Sequence, residues 1–321
     1  MRDIETFIKP GKNLEKKNNR RAKSFGYQVL GFGAGGRTVG PYIAALGGTV
    51  LTNTCYKTHV FTGDGTFVVE NEGTGDGSNT VEYFVIAGGG PGGGKYRGGG
   101  AGGGGWRTNY PSPAFGGVPV TFTGYPIQVG AGGGNPGSRY TAATPSIFST
   151  ITSTRGGSHG QPGGSGGGGN GTSGSYGNGN AGSFSPPEGN RGGESTGGCS
   201  PGAGGGGGAS SIGNNGAPGF TSPAGSGGNG SGIATGFFGP TAPSYGTPGP
   251  SGANRYFSGG GGGGTYSPGS AGGGGYGGGG TVFSPSPANS GGGGGGGTTG
   301  GGCCSPSFGG SGLVAIRYKF Q

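Results

Sequence analysis

Between residues 49 and 87 the chain alternates short β-branched and aromatic runs with turn residues. The runs are Thr49–Leu51, Tyr56–Phe61, Thr66–Glu70 and Thr80–Ala87. Gly63-Asp64-Gly65 and the stretch Glu72-Gly73-Thr74-Gly75-Asp76-Gly77 separate the last three. Such spacing predicts short strands joined by short turns, hence an antiparallel sheet. In the last run Val81, Tyr83 and Val85 fall on one face, with Glu82, Phe84 and Ile86 on the other. The end of the chain repeats the pattern: Val314, Ile316, Tyr318 and Phe320 alternate with Ala315, Arg317 and Lys319. A lone strand is unstable and a two-stranded hairpin marginal, so 313–320 is expected to return to the sheet begun at 49–87. Val118–Thr123 and Tyr125–Val129, around Gly124, predict a further hairpin.

Between these ends the periodicity disappears. Of 321 residues, 101 are glycine and 23 proline, while 27% are hydrophobic and 9% charged. Runs such as Gly204–Gly208, Gly259–Gly264 and Gly291–Gly297 break the three-residue phase that collagen requires. So few apolar side chains exclude an ordinary two-domain enzyme, and no apolar stretch approaches the length of a membrane span. A flexible linker would be rich in glycine and serine with few aromatics. Here aromatic segments interrupt the runs: Ile233–Ser258, Thr265–Ala271 and Thr281–Ser290. The expectation is therefore a small antiparallel β domain over 49–130, completed by 313–321, holding an inserted polyglycine II-type helix lattice with exposed loops at 131–312.

Charge adds a fourth zone. The first 25 residues carry eight Lys or Arg against three acids, more than half of the net +9. Residues 1–48 thus predict a basic arm followed by the glycine-punctuated apolar peptide Phe25–Gly36, suited to docking on a larger assembly. Arg20, Arg21, Lys23, Phe25, Tyr27, Leu30 and Phe32 are its candidate docking residues. The opening residues lack an apolar core, so no secretory leader is expected.

Four motifs resemble the glycine-rich-domain proteins of bacteriophages. They are Tyr56-Lys57-Thr58-His59-Val60-Phe61-Thr62-Gly63-Asp64-Gly65-Thr66-Phe67, the stretch Val81–Gly90, Gly124–Gly133, and Gly310–Lys319, in that order along the chain. The glycine zone alone is also similar to the polyglycine lattice of T-even-like phage tip adhesins. The resemblance implies a non-enzymatic virion protein of tail-fibre type, assembled in the host cytoplasm and present in multiple copies. It would bind other virion proteins through its arm and a host-surface glycan or outer-membrane protein through its loops. A head fibre or capsid decoration protein is the alternative, and a flexible RNA-binding chain a third.

Candidate chemistry is sparse. His59 reads as a sheet-surface residue and His159 as a loop residue without a nearby acid. The acids outside the arm (Asp64, Glu70, Glu72, Asp76, Glu82, Glu188 and Glu194) show no motif spacing. Cys303-Cys304 lack the Cys-x-x-Cys spacing of a zinc or redox site, and Cys55 and Cys199 stand apart. Arg-Gly-Gly triplets at Arg97, Arg155 and Arg191 are too dispersed for an RNA-binding cluster. No cofactor, metal, nucleic acid or membrane insertion is expected. Exposed aromatics beside arginine are the better receptor candidates, because they offer rigid contact area with a polar handle. The densest groups are Trp106 with Arg107, Phe237 with Phe238 and nearby Tyr245, and Arg255-Tyr256-Phe257.

Overall fold

The computed structural model describes residues 39–75, 77–94, 97–111, 117–134, 141–171, 174–196, 201–219, 222–266, 269–282, 284–298 and 307–321. The alternating runs form strands close to where the pattern places them. β1 (Ile43–Leu46), β2 (Thr49–Asn53), β3 (Tyr56–Phe61), β4 (Gly65–Glu72) and β5 (Thr80–Ile86) come first. β6 (Trp106–Thr108), β7 (Val118–Pro119), β8 (Gly124–Gln128), β9 (Ser146–Phe148) and β10 (Ile151–Ser153) follow. After a long interval come β11 (Ser231–Ala234), β12 (Asn254–Phe257) and β13 (Leu313–Lys319). All the strand pairings are antiparallel.

β13 returns to the centre of the sheet rather than to its edge. It lies between β3 and β5 in a six-stranded sheet ordered β2-β3-β13-β5-β6, with β7 beside β5. A second sheet has the order β1-β4-β8-β9-β10, so β8 pairs with β4 and β9 and not with β7 as the expected hairpin around Gly124 required, and β11 pairs with β12 alone. The period-two pattern of β5 and β13 then feeds two cores. Val81, Val85, Val314 and Ile316 pack with Ile43, Phe67 and Phe148 of the five-stranded sheet. On the opposite face Phe84, Ile86, Leu313 and Ala315 pack with Phe237, Phe238 and Phe257. The six-stranded sheet is thus a middle layer, which is why its central strands are apolar on both faces. At the strand end Arg317 Nη1 meets Glu82 Oε2 at 3.0 Å, and its guanidinium lies 3.8 Å from the Tyr56 ring centre. Gly73, which follows β4, has φ +70°, and a Cβ there would sit 1.7 Å from the Ser78 carbonyl oxygen, so only glycine serves.

The expected polyglycine II-type helix lattice is overturned. The molecule is β-rich with antiparallel sheets, and its described helix is confined to short 3-10 turns at Thr235–Phe237 and Gly239–Ser244. The runs are short, and the apolar segments between them fold into strands and turns of their own, which leaves no long helix. The glycine segments carry neither helix nor strand, yet they are buried and bonded segment to segment. Gly98, Ala101 and Gly104 donate to Gly297, Gly294 and Gly291; Gly100 and Gly103 donate to Gly204 and Gly207; Gly102 and Gly105 donate to Gly157 and Thr154, all at 2.8–3.1 Å. Each buried amide left unpaired would cost about 1–3 kcal/mol, so this pairing is what makes a nearly side-chain-free interior tenable.

His59 also departs from expectation. The second layer covers its strand, so the ring is fully buried instead of lying on a sheet surface.

Candidate functional site

The sequence singles out aromatic groups as receptor contacts, and the structure redistributes them. Phe237, Phe238 and Phe257 are fully buried and Tyr245 nearly so. The three phenylalanine rings close around Phe84, with Phe84 to Phe257 at 4.9 Å, and Tyr245 packs on Phe238 at 5.1 Å between centroids. These four residues are core, because burying such rings against an apolar sheet face outweighs leaving them in water. Burial also raises the Tyr245 pKa. Arg255 is a clamp on the second 3-10 turn: its Nε donates to Tyr245 O at 2.8 Å and its Nη2 to Gly246 O at 2.8 Å. Partial burial lowers its pKa. Tyr256, in β12, is half-buried and exchanges backbone bonds with Thr247. The docking residues Arg20, Arg21, Lys23, Phe25, Tyr27, Leu30 and Phe32 lie outside the described residues, as do Cys199, Cys303 and Cys304. Cys55 is a half-buried free thiol.

Trp106 and Arg107 remain at a surface. They belong to β6, the edge of the six-stranded sheet, where Trp106 pairs with Ile86 and Arg107 with Val85. Neighbouring residues on a strand face opposite ways. Trp106 therefore sits over the second core, 4.7 Å from the Phe84 centroid, while Arg107 shares its face with Tyr83. A cleft of about 470 Å³ opens along this edge, lined by Tyr83, Trp106, Arg107, Asn109, Pro186 and Pro187 among others. That volume falls within the usual range for small-ligand sites, about 300–1,000 Å³.

Polar side chains hold both sides of the cleft. Buried Asn109 accepts the Tyr83 amide at 2.6 Å and donates to Val81 O at 3.3 Å, which ties the residue after β6 to β5. Across the cleft, the 180–188 loop is pinned from within. Asn180 receives the Phe184 amide at 3.1 Å and donates to Phe184 O at 3.0 Å. Glu188, fully buried, accepts the Thr154 amide at 2.8 Å through Oε2, and its own carbonyl accepts the Trp106 amide at 2.8 Å. Arg107 donates from Nη1 to Thr152 O at 3.2 Å and stacks 3.8 Å from the Phe184 ring centre. Sequence reasoning missed Tyr83, Asn109, Phe184 and the structural use of Glu188. The signal available was the island Phe184-Ser185-Pro186-Pro187-Glu188 within a glycine tract.

The cleft and its bracing loop lie inside the span where a known family is recognisable. The sequence profile of the glycine-rich domain matches residues 61–319. The chain belongs to the glycine-rich domain family. No curated protein matches the chain in sequence. The span of this glycine-rich domain runs from the end of β3 to the end of β13, so it takes in the whole β5–β13 pairing of the six-stranded sheet. Among its described residues no helix is long and apolar enough to cross a membrane.

Proposed function

We propose that the chain is a non-enzymatic bacteriophage virion protein of tail-fibre type, which attaches to a host surface through loops and clefts fixed on a rigid body. The observation carrying this reading is the cross-bonded glycine interior. It holds the 180–188 loop in place through backbone bonds from Asn180 to Gly164 O and from Ala181 to Gly163 O, at 2.8 and 3.0 Å. A binding surface fixed before contact loses less entropy on binding, and multiple copies on one particle add avidity. The four sequence motifs described above support the phage origin. The basic arm would join the chain to other virion proteins during assembly in the host cytoplasm, and the target would be a surface glycan or outer-membrane protein.

The test is direct. Purified full-length protein should bind intact cells of the host strain saturably, leave a resistant strain unlabelled, and reduce phage adsorption in competition. Absence of both binding and competition overturns the attachment reading. A gold label on the N-terminus that decorates the head in electron micrographs, rather than the tail, would instead favour a head fibre or decoration protein.

A further inference from the structure

The β6 cleft combines three features that together specify a ligand. The first is aromatic surface with unspent hydrogen-bonding groups. Tyr83 and Trp106 line the cleft half-buried, and among the described residues neither the Tyr83 hydroxyl nor the Trp106 indole N–H has a hydrogen-bond partner. An aromatic face with polar groups at its rim suits a sugar ring, whose C–H face is apolar and whose edge is hydroxylated.

The second feature is charge. Among the described residues, Arg107 is the only charged side chain lining the cleft. Its Nη1 bond to Thr152 and its stacking on Phe184 immobilise the guanidinium, while Nε and Nη2 have no partner among the described residues. A planar fork held in place this way matches a carboxylate in two hydrogen bonds. The third feature is extent. Tyr83 and Arg107 lie on one face of the β5–β6 ladder and Trp106 on the other, so a ligand using all three must cross the strand edge.

We propose that this cleft is a subsite for an acidic oligosaccharide. A uronate-type carboxylate pairs with Arg107 beside Tyr83, and an adjacent sugar ring packs on Trp106. The assignment rests on the attachment reading and names the class of surface group which that reading leaves open.

Trp106 is the only tryptophan in the chain, so intrinsic fluorescence reports on this cleft. The full-length protein is titrated with trigalacturonate and with neutral galactotriose. The acidic sugar should give a saturable change in emission and bind about tenfold tighter than the neutral one, the scale of one charge-assisted hydrogen-bond pair. That preference should shrink as NaCl rises towards about 1 M, where screening is short-ranged. Arg107→Gln should bring the acidic sugar to within about twofold of the neutral one, and Arg107→Lys should restore part of the difference, with unchanged circular dichroism in both. Equal affinity of the wild-type protein for the two sugars, or no emission change with either, overturns the proposal without reliance on any variant. So does an Arg107→Gln protein that keeps the preference. Host-cell binding that survives Arg107→Gln undiminished sinks the cleft but leaves attachment standing. Acidic-sugar binding without cell binding sinks attachment and leaves the cleft.

Discussion

His59 is a polar ring placed wholly inside a core, and its bonds determine its tautomer. Nδ1 donates to Gly47 O at 2.7 Å, and Nε2 accepts from the Tyr318 hydroxyl at 3.0 Å. Burial, the largest cause, lowers its pKa below the ordinary 6.5; the Gly47 bond opposes this and the charge on Lys57 adds to it. The unfolded chain therefore binds more protons than the native one below 6.5, and stability falls as pH drops through that range. His159, whose pKa burial also lowers, contributes with the same sign. Tyr318 is pushed up from 10.0 to about 12, again mainly by burial, so the unfolded chain loses its proton first and stability falls as pH rises past 10.0. Denaturant midpoints should thus be flat between about pH 7 and 9 and decline towards pH 5, and His59→Gln should remove part of that decline. A wild-type midpoint unchanged from pH 8 to pH 5 would contradict this assignment. Glycine supplies a second contrast at this scale. A Cβ on Gly206 would lie 1.8 Å from Ala101 O, whereas one on Gly273 meets nothing within 4 Å. Gly206→Ala should cost about 3 kcal/mol in chemical denaturation, and Gly273→Ala should be neutral or stabilising by about 0.5 kcal/mol.

Among the elements, β3, β4, β5 and β13 were legible in the sequence because a half-buried strand writes its own alternation. β1, β6, β9, β10 and the β11–β12 hairpin were not: they run three or four residues each, and their partners define them more than their own pattern does. The candidate site was legible in the same partial way. Trp106 and Arg107 stand out as a pair, but whether an aromatic group faces solvent or a second layer is a tertiary fact. Nothing local to Phe237-Phe238 or Phe257 discloses that Phe84, more than 150 residues earlier, will meet them. The residues that brace the cleft were hidden for a similar reason, since Asn109, Asn180 and Glu188 act through backbone groups brought close by the glycine body. Phe84 is the hub of the second core, its ring centre 4.7–6.1 Å from those of Trp106, Phe237, Phe238 and Phe257. Phe84→Ala should therefore lower unfolding free energy by about 3–5 kcal/mol and shift Trp106 emission, both readable in one fluorescence-monitored denaturation. A loss below about 1 kcal/mol would mean that this layer collapses freely onto the gap and is less well packed than its geometry indicates.

At the scale of the whole molecule, one strand closes everything. β13 bonds to β3 over Val314–Lys319 and to β5 over Leu313–Arg317, so residues near the start and the very end of the described chain share one ladder. Loop-closure entropy rises only as the logarithm of the intervening length, which makes so distant a pairing thermodynamically tolerable though slow to form. The glycine body depends on it in turn. Gly89 donates to Gly310 O and Gly312 to Gly130 O, at 2.9 and 2.8 Å, so the segments leading out of β5 and into β13 are the body's first bonded segments. A chain ending at Gly312 would leave β3 and β5 with open edges where their central partner had been, and would remove Leu313, Val314, Ala315 and Ile316 from two cores at once. Such a truncation should abolish the cooperative thermal transition and drive the protein into aggregates, whereas loss of Gln321 alone should leave the transition in place. Amide exchange separates the two ways this can fail. If the truncated chain still protects the glycines of 98–105 and 291–297 while the sheet exchanges freely, the glycine interior stands on its own bonds. If both lose protection together, sheet and glycine body are a single cooperative unit closed by the last strand, which is the outcome this topology predicts.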